Sequence, residues 1–365
     1  MFRALERFVL IPDSFKGTMS SAEICGILAD AIRESFPEAQ IRQIPVADGG
    51  EGSVDAFLRA LPGKKVPARV KGPFFEDVPA FYGLLGDGET AVVEMAACAG
   101  LPLAEGRLDP LAATTFGVGQ LILEAARGGA KKIVVGLGGS ATNDGGCGAA
   151  AAAGMRFLDR GGRQFVPTGG TLADIAEIDA SGLDAALRGA EIVAMCDIDN
   201  PLHGPEGAAC VFGPQKGASP DAVRLLDGGL MNLDAALRSS LGKDLARMPG
   251  AGAAGGMGAG MAAFFGAELR MGIEVVLDTV RFDELVKDAD MILTGEGKID
   301  AQSLRGKVVV GVARRARASG SGAPVVAIVG DVGDGAEGAY AEGVGGIFSI
   351  NRLAVDFSQA KPRCR

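Results

Sequence analysis

The sequence predicts an α/β fold made of two α/β domains. Two observations carry that reading. Short apolar strand patterns alternate with amphipathic helix patterns at both ends of the 365-residue chain, which implies a parallel sheet. Between those ends the alternation gives way to a hairpin pattern, so a second kind of sheet interrupts the first. At roughly 150 residues per domain the length holds both.

The elements follow in order. Phe8 to Pro12 (FVLIP) is a buried-strand pattern. Ser20 and Glu23 make a capping box, and Ile24, Ile27, Leu28, Ala31 and Ile32 share one helix face before Pro37. A second strand, 40–46, ends in the loop Ala47-Asp48-Gly49-Gly50-Glu51-Gly52, and Val54, Phe57, Leu58 and Leu61 give another helix face. From about residue 63, Val66, Ala68 and Val70 alternate, as do Val78, Ala80, Tyr82 and Leu84; Gly86-Asp87-Gly88 then turns into a strand over 90–95. A helix through Val118, Leu121, Ile122 and Ala125 stops at Gly128 and leads into a strand over 133–137. Later strands are expected at 191–196, 290–294, 325–329 and 346–350. A helix over 302–318 carries Arg314, Arg315 and Arg317 where they suit its C-terminal dipole. The predicted arrangement is a discontinuous Rossmann- or flavodoxin-like parallel-sheet domain, residues 1–63 plus 284–365. A larger mixed α/β domain, 64–283, is inserted in it, with a cleft between the two.

Composition narrows the function. Lys plus Arg is 36 against 45 Asp plus Glu, a net charge of -9; nucleic acid and anionic membranes demand a basic footprint, so neither is expected as partner. No run reaches the ~18 apolar residues of a membrane helix, and the first residues carry no signal-peptide core. The six cysteines form no C-x-x-C and read as buried hydrophobes of a reducing, cytoplasmic setting. With His203 the single histidine, His-rich metal sites are excluded. Glycine is the outlier, 57 residues where average usage is about 7%.

Most of the unusual polar residues stand directly after a strand: Asp13 and Lys16, Asp48 and Glu51, Asn143 and Asp144, Asp197, Asp199 and Asn200, Glu296 and Asp300. In doubly wound sheets the carboxyl ends of strands form the ligand edge. Carboxylates at this density call for a cation, and Mg²⁺ with substrate phosphates suits them. The loop Gly136 to Gly146 joins a strand to an Ala-rich helix, where glycine lets backbone N–H groups approach a phosphate. There is no Walker A sequence. Gly250-Ala251-Gly252-Ala253-Ala254-Gly255 matches G-x-G-x-x-G, but no strand precedes it, so a packing or hinge segment is the better reading. Plainer readings stand beside these. Asp13 and Lys16 suit an ion pair or a helix entry, Asp48 and Glu51 a helix N-terminus, and Asp197 to Pro201 an Asx turn. Gln215-Lys216 suits a turn, His203 a loop position, and Glu94, after its strand, gives no further clue.

Eight segments taken together resemble a known family. They are PDSFKGTMSSAE (12–23), PVADGGEG (45–52), AVVEMAACAGLPL (91–103), VVGLGGSATNDGGCG (134–148), CDIDNPLHGPEGA (196–208), VFGPQKGA (211–218), PGAGAAGG (249–256) and LTGEGKIDAQSLRGK (293–307). In this order they resemble the bacterial glycerate kinases of the type I family. Departures are Asp109 where the family often has Asn, Val118 where it has Thr, and a stretch after Asn351 that stops short of the usual terminal helix. The resemblance implies ATP-dependent phosphorylation of D-glycerate with Mg²⁺, most often at the 2-hydroxyl. On that footing Gly138, Gly139, Ser140, Asn143, Asp144 and Gly145 are expected to cradle ATP phosphates. Lys16, Asp48 and Asp197 are expected as catalytic groups. Asp13, Lys16, Glu51, Lys216, Arg305 and Lys307 are expected around the substrate, and Asp199, Glu296 and Asp300 around the metal. Alternatives are 3-phosphoglycerate as product, a kinase for another small hydroxyacid, an NAD-dependent hydroxyacid dehydrogenase, and a non-catalytic phosphosugar-binding regulator.

Overall fold

The structure is a computed structural model and describes residues 5–15, 17–47, 49–351 and 361. Lys16 and Asp48, both expected in the site, lie outside the described residues, as does Cys364.

In chain order the structure opens with β1 (Arg7–Pro12), α1 (Ser21–Ser35), β2 (Gln40–Gln43) and α2 (Ser53–Ala60). The hairpin strands β3 (Gly63–Lys71), β4 (Asp77–Leu85) and β5 (Thr90–Glu94) lead to α3 (Ala96–Ala99), α4 (Phe116–Arg127), β6 (Lys132–Gly136) and α5 (Cys147–Ala152). Short strands β7 (Arg156–Leu158), β8 (Gln164–Phe165) and β9 (Glu177–Asp179) precede β10 (Glu191–Met195), α6 (Ala208–Phe212), α7 (Pro220–Leu241), α8 (Ala253–Phe264) and β11 (Glu268–Arg270). The chain continues with α9 (Gly272–Thr279), α10 (Phe282–Leu285), β12 (Met291–Ile299), α11 (Val308–Ser319), β13 (Val325–Val332), α12 (Gly338–Ala341) and β14 (Val344–Ser349). Two compact units result. The first takes Met1–Ala47, Asp55–Leu61 and Met271–Arg365, and the second Asp48–Val54 and Pro62–Arg270.

The first unit holds a five-stranded sheet in the order β14-β13-β12-β1-β2. All its pairings are parallel. After its first residue β1 is buried throughout, as a strand covered on both faces must be, and Leu10 and Ile11 are wholly inside. Ser20 caps α1: its side chain accepts the Glu23 N–H while Glu23 reaches back to the Ser20 N–H, the capping box read from the sequence. Two expectations are corrected here. The strand expected over 40–46 ends at Gln43. The helix expected over 302–318 starts at Val308, because a single 3₁₀ turn, Ser303–Arg305, closes on Gly306 in the left-handed region (φ 103°).

The second unit holds a six-stranded sheet, β11-β10-β6-β5-β4-β3. Its first four strands run parallel, and β4 and β3 continue it antiparallel, as the hairpin pattern implied. The apolar face of α4 (Val118, Leu121, Ile122, Ala125) packs into the core formed with Ile133 and Val135 of β6. The sequence reading passed over a small antiparallel sheet, β8-β7-β9, and the 22-residue α7. Together they bury Phe157, Leu226, Leu230, Leu233 and Leu237 in a second core. The low-complexity run 250–260 enters α8 through three successive left-handed residues, Ala254, Gly255 and Gly256.

Candidate active site

In the second unit β10, β6 and β5 lie side by side and parallel, so their carboxyl ends emerge together. The loop before α2 is seated on those ends. The Gly138 N–H donates to the Gly49 carbonyl at 2.9 Å. A Cβ on Gly136 would stand 2.3 Å from that same carbonyl oxygen, and one on Gly138 2.6 Å from the Gly50 Cα. Glycine at these two positions is thus what lets one backbone lie on the other. Glu94, which ends β5 and is buried, completes the seat by accepting the Gly52 N–H at 3.2 Å and the Val54 N–H at 2.5 Å. Asp48 lies outside the described residues, while Glu51 beside it is exposed.

The loop Leu137 to Gly146 is held from several sides. Leu101 and Ala141 donate backbone N–H groups to Gly139 and Ala99, tying it to α3 and the turn after it. The Asp144 carboxylate is fully buried and accepts from the Thr115 N–H (2.7 Å), the Thr115 hydroxyl (2.9 Å), the Gly146 N–H (3.1 Å) and the Gly148 N–H (3.2 Å). Burial pushes its carboxyl above the usual range, and these donors pull it back toward the ionised form. Asp144 therefore occupies the N–H groups at the start of α5 that were expected to face a phosphate, and acts as an internal anchor. From the single turn Pro214–Lys216, Lys216 sends a buried ammonium to the Ser140 hydroxyl (2.7 Å) and the Thr142 carbonyl (2.6 Å). Burial brings the Lys216 ammonium down to about 7, and the Asp144 charge opposes that shift. Within the same loop the Thr142 hydroxyl and both amide atoms of Asn143 are buried with no partner in the structure. Asp197 and Asp199, beyond β10, are exposed, and Asn200 donates to the Glu206 carbonyl.

In the first unit the chemistry collects at the ends of β1 and β12. Burial pushes the Glu296 carboxyl up to about 7; Ser303 and Lys307 ease the shift, and the Asp13 and Asp300 charges add to it. The Glu296 Oε1 is buried with no partner. Asp13 takes the Ser14 N–H at 2.7 Å, and its own N–H reaches the Gly295 carbonyl. Asp300 holds the Gln302 N–H, and Arg305 and Lys307 are exposed. Of the expected metal set, Asp199 belongs to the second unit and Glu296 and Asp300 to the first. Among the described residues no three His, Cys, Asp or Glu side chains are placed to hold a metal ion.

A model of the glycerate kinase family matches residues 8–364. The chain belongs to the glycerate kinase family. It is 43% identical over 355 residues to the glycerate kinase of Bacillus subtilis (strain 168), covering 97% of this chain and 92% of that one. It is 44% identical over 346 residues to the glycerate 2-kinase of Escherichia coli (strain K12), covering 94% and 90%. A crystal structure from Salmonella typhimurium LT2, provisionally named glycerate kinase 2, superposes with a TM-score of 0.85 at 41% identity over 99% of this chain and 94% of that one. This member of the glycerate kinase family is accordingly a kinase, a phosphotransferase of mixed α/β fold. No helix among the described residues is long and apolar enough to cross a membrane.

For a glycerate kinase, the residue the sequence reading missed is Glu94. Its one visible signal was a carboxylate closing a strand whose every residue is buried, a position that Asp or Glu seldom takes without partners. Its partners, Gly52 and Val54, stand 42 and 40 residues earlier.

Proposed function

We propose that this chain is an ATP-dependent kinase that phosphorylates D-glycerate at its 2-hydroxyl, giving 2-phosphoglycerate and ADP. The observation that carries the proposal is the buried, multiply anchored glycine loop 137–146 seated against the acidic loop after β2. The naming of a 44%-identical relative as glycerate 2-kinase supports the position of attack. Phosphoryl transfer asks a protein chiefly for positioning and charge neutralisation. Gly139, Ser140 and Asn143 hold the ATP phosphates, while Gly138 and Gly145, whose N–H groups donate to the Gly49 and Gly255 carbonyls, and Asp144 fix their loop from behind. The glycerate 2-oxygen forms the new bond to the γ-phosphorus while the bond to the β,γ-bridging oxygen breaks. The hydroxyl proton passes to Asp197 or Asp48. Lys16, Arg305 and Lys307 balance the charge of the phosphates and the glycerate carboxylate, and Asp13 and Glu51 orient the substrate hydroxyls.

Mg²⁺ fits the first unit's donors. Glu296 Oε1 is a buried acceptor without a partner, within electrostatic reach of Asp13 and Asp300, and Mg²⁺ prefers one or two carboxylates completed by water and phosphate. Glu296 and Asp300 would hold it, and Asp199 would serve the metal only from the second unit. When bound, the ion neutralises charge on the transferring phosphoryl group. Buried free thiols at Cys25, Cys98, Cys147 and Cys196 suit a reducing, cytoplasmic setting.

The test is purified protein with Mg-ATP and D-glycerate, followed by ADP release and phosphorus NMR. The expected result is ADP together with 2-phosphoglycerate. Formation of 3-phosphoglycerate would move the attack to the other hydroxyl, and turnover of a different hydroxyacid alone would replace the substrate.

A further inference from the structure

We propose that Lys216 is a positioning residue of the glycine loop: its buried ammonium sets the Ser140–Thr142 backbone and does not itself meet the glycerate. This rests on the glycerate kinase reading above. The side chain is 2% exposed, and its two short bonds go to the loop itself, to the Ser140 hydroxyl and the Thr142 carbonyl. Such charge-assisted bonds are roughly twice as strong as neutral ones. The lysine comes from a fixed base. The Lys216 N–H donates to the Gly213 carbonyl, and Gly217 follows in the left-handed region (φ 92°), where a Cβ would stand 2.6 Å from the Leu108 carbonyl oxygen.

The consequence for the loop follows from peptide geometry. In a planar trans peptide the carbonyl and the next N–H point in opposite directions. Drawing the Thr142 carbonyl onto Lys216 therefore turns the Asn143 N–H away from the lysine, with an orientation the loop would not hold unaided. Gly255 crowds that same peptide, since a Cβ there would stand 2.1 Å from the Thr142 oxygen and 2.6 Å from the Asn143 Cα. The left-handed run 254–256, which overlaps the G-x-G-x-x-G match at 250–255, thus packs against the peptide that the lysine holds. Asp144, in the same loop, is the charged group whose field acts on the ammonium.

The experiment compares Lys216→Met with wild type by steady-state kinetics and by calorimetric binding of D-glycerate and of a non-hydrolysable ATP analogue. Positioning predicts that kcat falls by about 100-fold and analogue affinity by ~10-fold, while D-glycerate affinity and KM stay within about threefold. A loss confined to D-glycerate binding, an equal loss for both ligands, or no loss at all would overturn it. Ser140→Ala removes one of the two acceptors and guards against a Lys216→Met chain that fails to fold. It should weaken analogue binding more in wild type than in the Lys216→Met background, where its bond to the lysine is already gone; equal losses in both backgrounds, or loss of D-glycerate binding instead, count against the proposal. Wild-type protein that turns over no D-glycerate with Mg-ATP is a failure of the kinase reading. With a wild type that does turn it over, the variant pattern bears on Lys216 alone.

Discussion

The Gly49 carbonyl accepts the Gly138 N–H at 2.9 Å, and a Cβ on the neighbouring Gly136 would stand 2.3 Å from the same oxygen. Two loops drawn from sequence positions almost ninety residues apart thus share one backbone contact too tight for any side chain. Gly136→Ala must push the acidic loop off the strand ends. Overpacking of this kind costs about 1–3 kcal/mol, and a displacement of ~1 Å near reacting groups costs on the order of 100-fold in rate. The expected outcome is a kcat/KM reduced by about that factor, measured alongside the melting temperature. Full activity in the alanine variant would mean that the contact is dispensable.

Glu94 should matter to the same loop through its carboxylate oxygens. In Glu94→Gln one oxygen becomes an NH₂ that cannot accept from Gly52 or Val54. Leaving one such buried N–H unpaired costs roughly 1–3 kcal/mol. Urea unfolding should show that loss, and kcat/KM for D-glycerate should fall by about tenfold or more. Glu94→Asp retains the charge on a shorter stem and should fall between wild type and the amide.

Lys216 gives stability a pH dependence of known sign. Burial lowers its ammonium to about 7 in the folded protein, from 10.5. Between those values the unfolded chain holds the proton and the folded chain releases it. Unfolding therefore takes up a proton, and this group's contribution to stability rises with pH across that window. Below pH 7 both states are charged and the burial penalty is fully present. Lys216→Met has no such slope, so its stability relative to wild type should be best near pH 6 and worsen steadily toward pH 10. Parallel curves in thermal melts over that range would show that the folded protein keeps the proton.

Gly228 sits inside α7, with nothing within 4 Å of where a Cβ would stand. Alanine there adds no clash and removes freedom from the unfolded chain. Gly228→Ala should stabilise by about 0.5–1 kcal/mol without altering kcat, which differential calorimetry and the glycerate assay would check.

Much of this was legible in the sequence, for physical reasons that can be named. The strand β1, the capping box at Ser20 and the antiparallel β4–β5 pair follow from local rules of burial, capping and turn chemistry, which act within a few residues. The crowding of polar residues after strands follows from the parallel sheet. What was not legible depends on pairs far apart in the chain. Glu94 has meaning only beside Gly52 and Val54, and Lys216, expected around the substrate with a turn as its plainer reading, acquires its partners from a loop 74 and 76 residues earlier. Asp144 is expected at the phosphates, and the sequence does not show that Thr115, 29 residues earlier, donates to its carboxylate. The helix α7 was overlooked because its apolar positions are diluted by Gly228, Gly229 and Asn232 on a pattern read too locally.

The strand β1 of the first unit's sheet also bears on how the protein is made. β1 pairs with β12, and Phe8 meets Met291 across the sheet. Chains emerge from ribosomes at ~5–20 residues per second, so β1 waits on the order of tens of seconds for its partner to be synthesised. The second unit is nearly continuous in sequence and needs no such delay. Its sheet is expected to acquire protease resistance on a stalled ribosome while β1 and β2 still present unpaired edges, the kind of surface that chaperones hold. A sheet that pairs β1 with β12 makes its first strand wait for one that is synthesised far later.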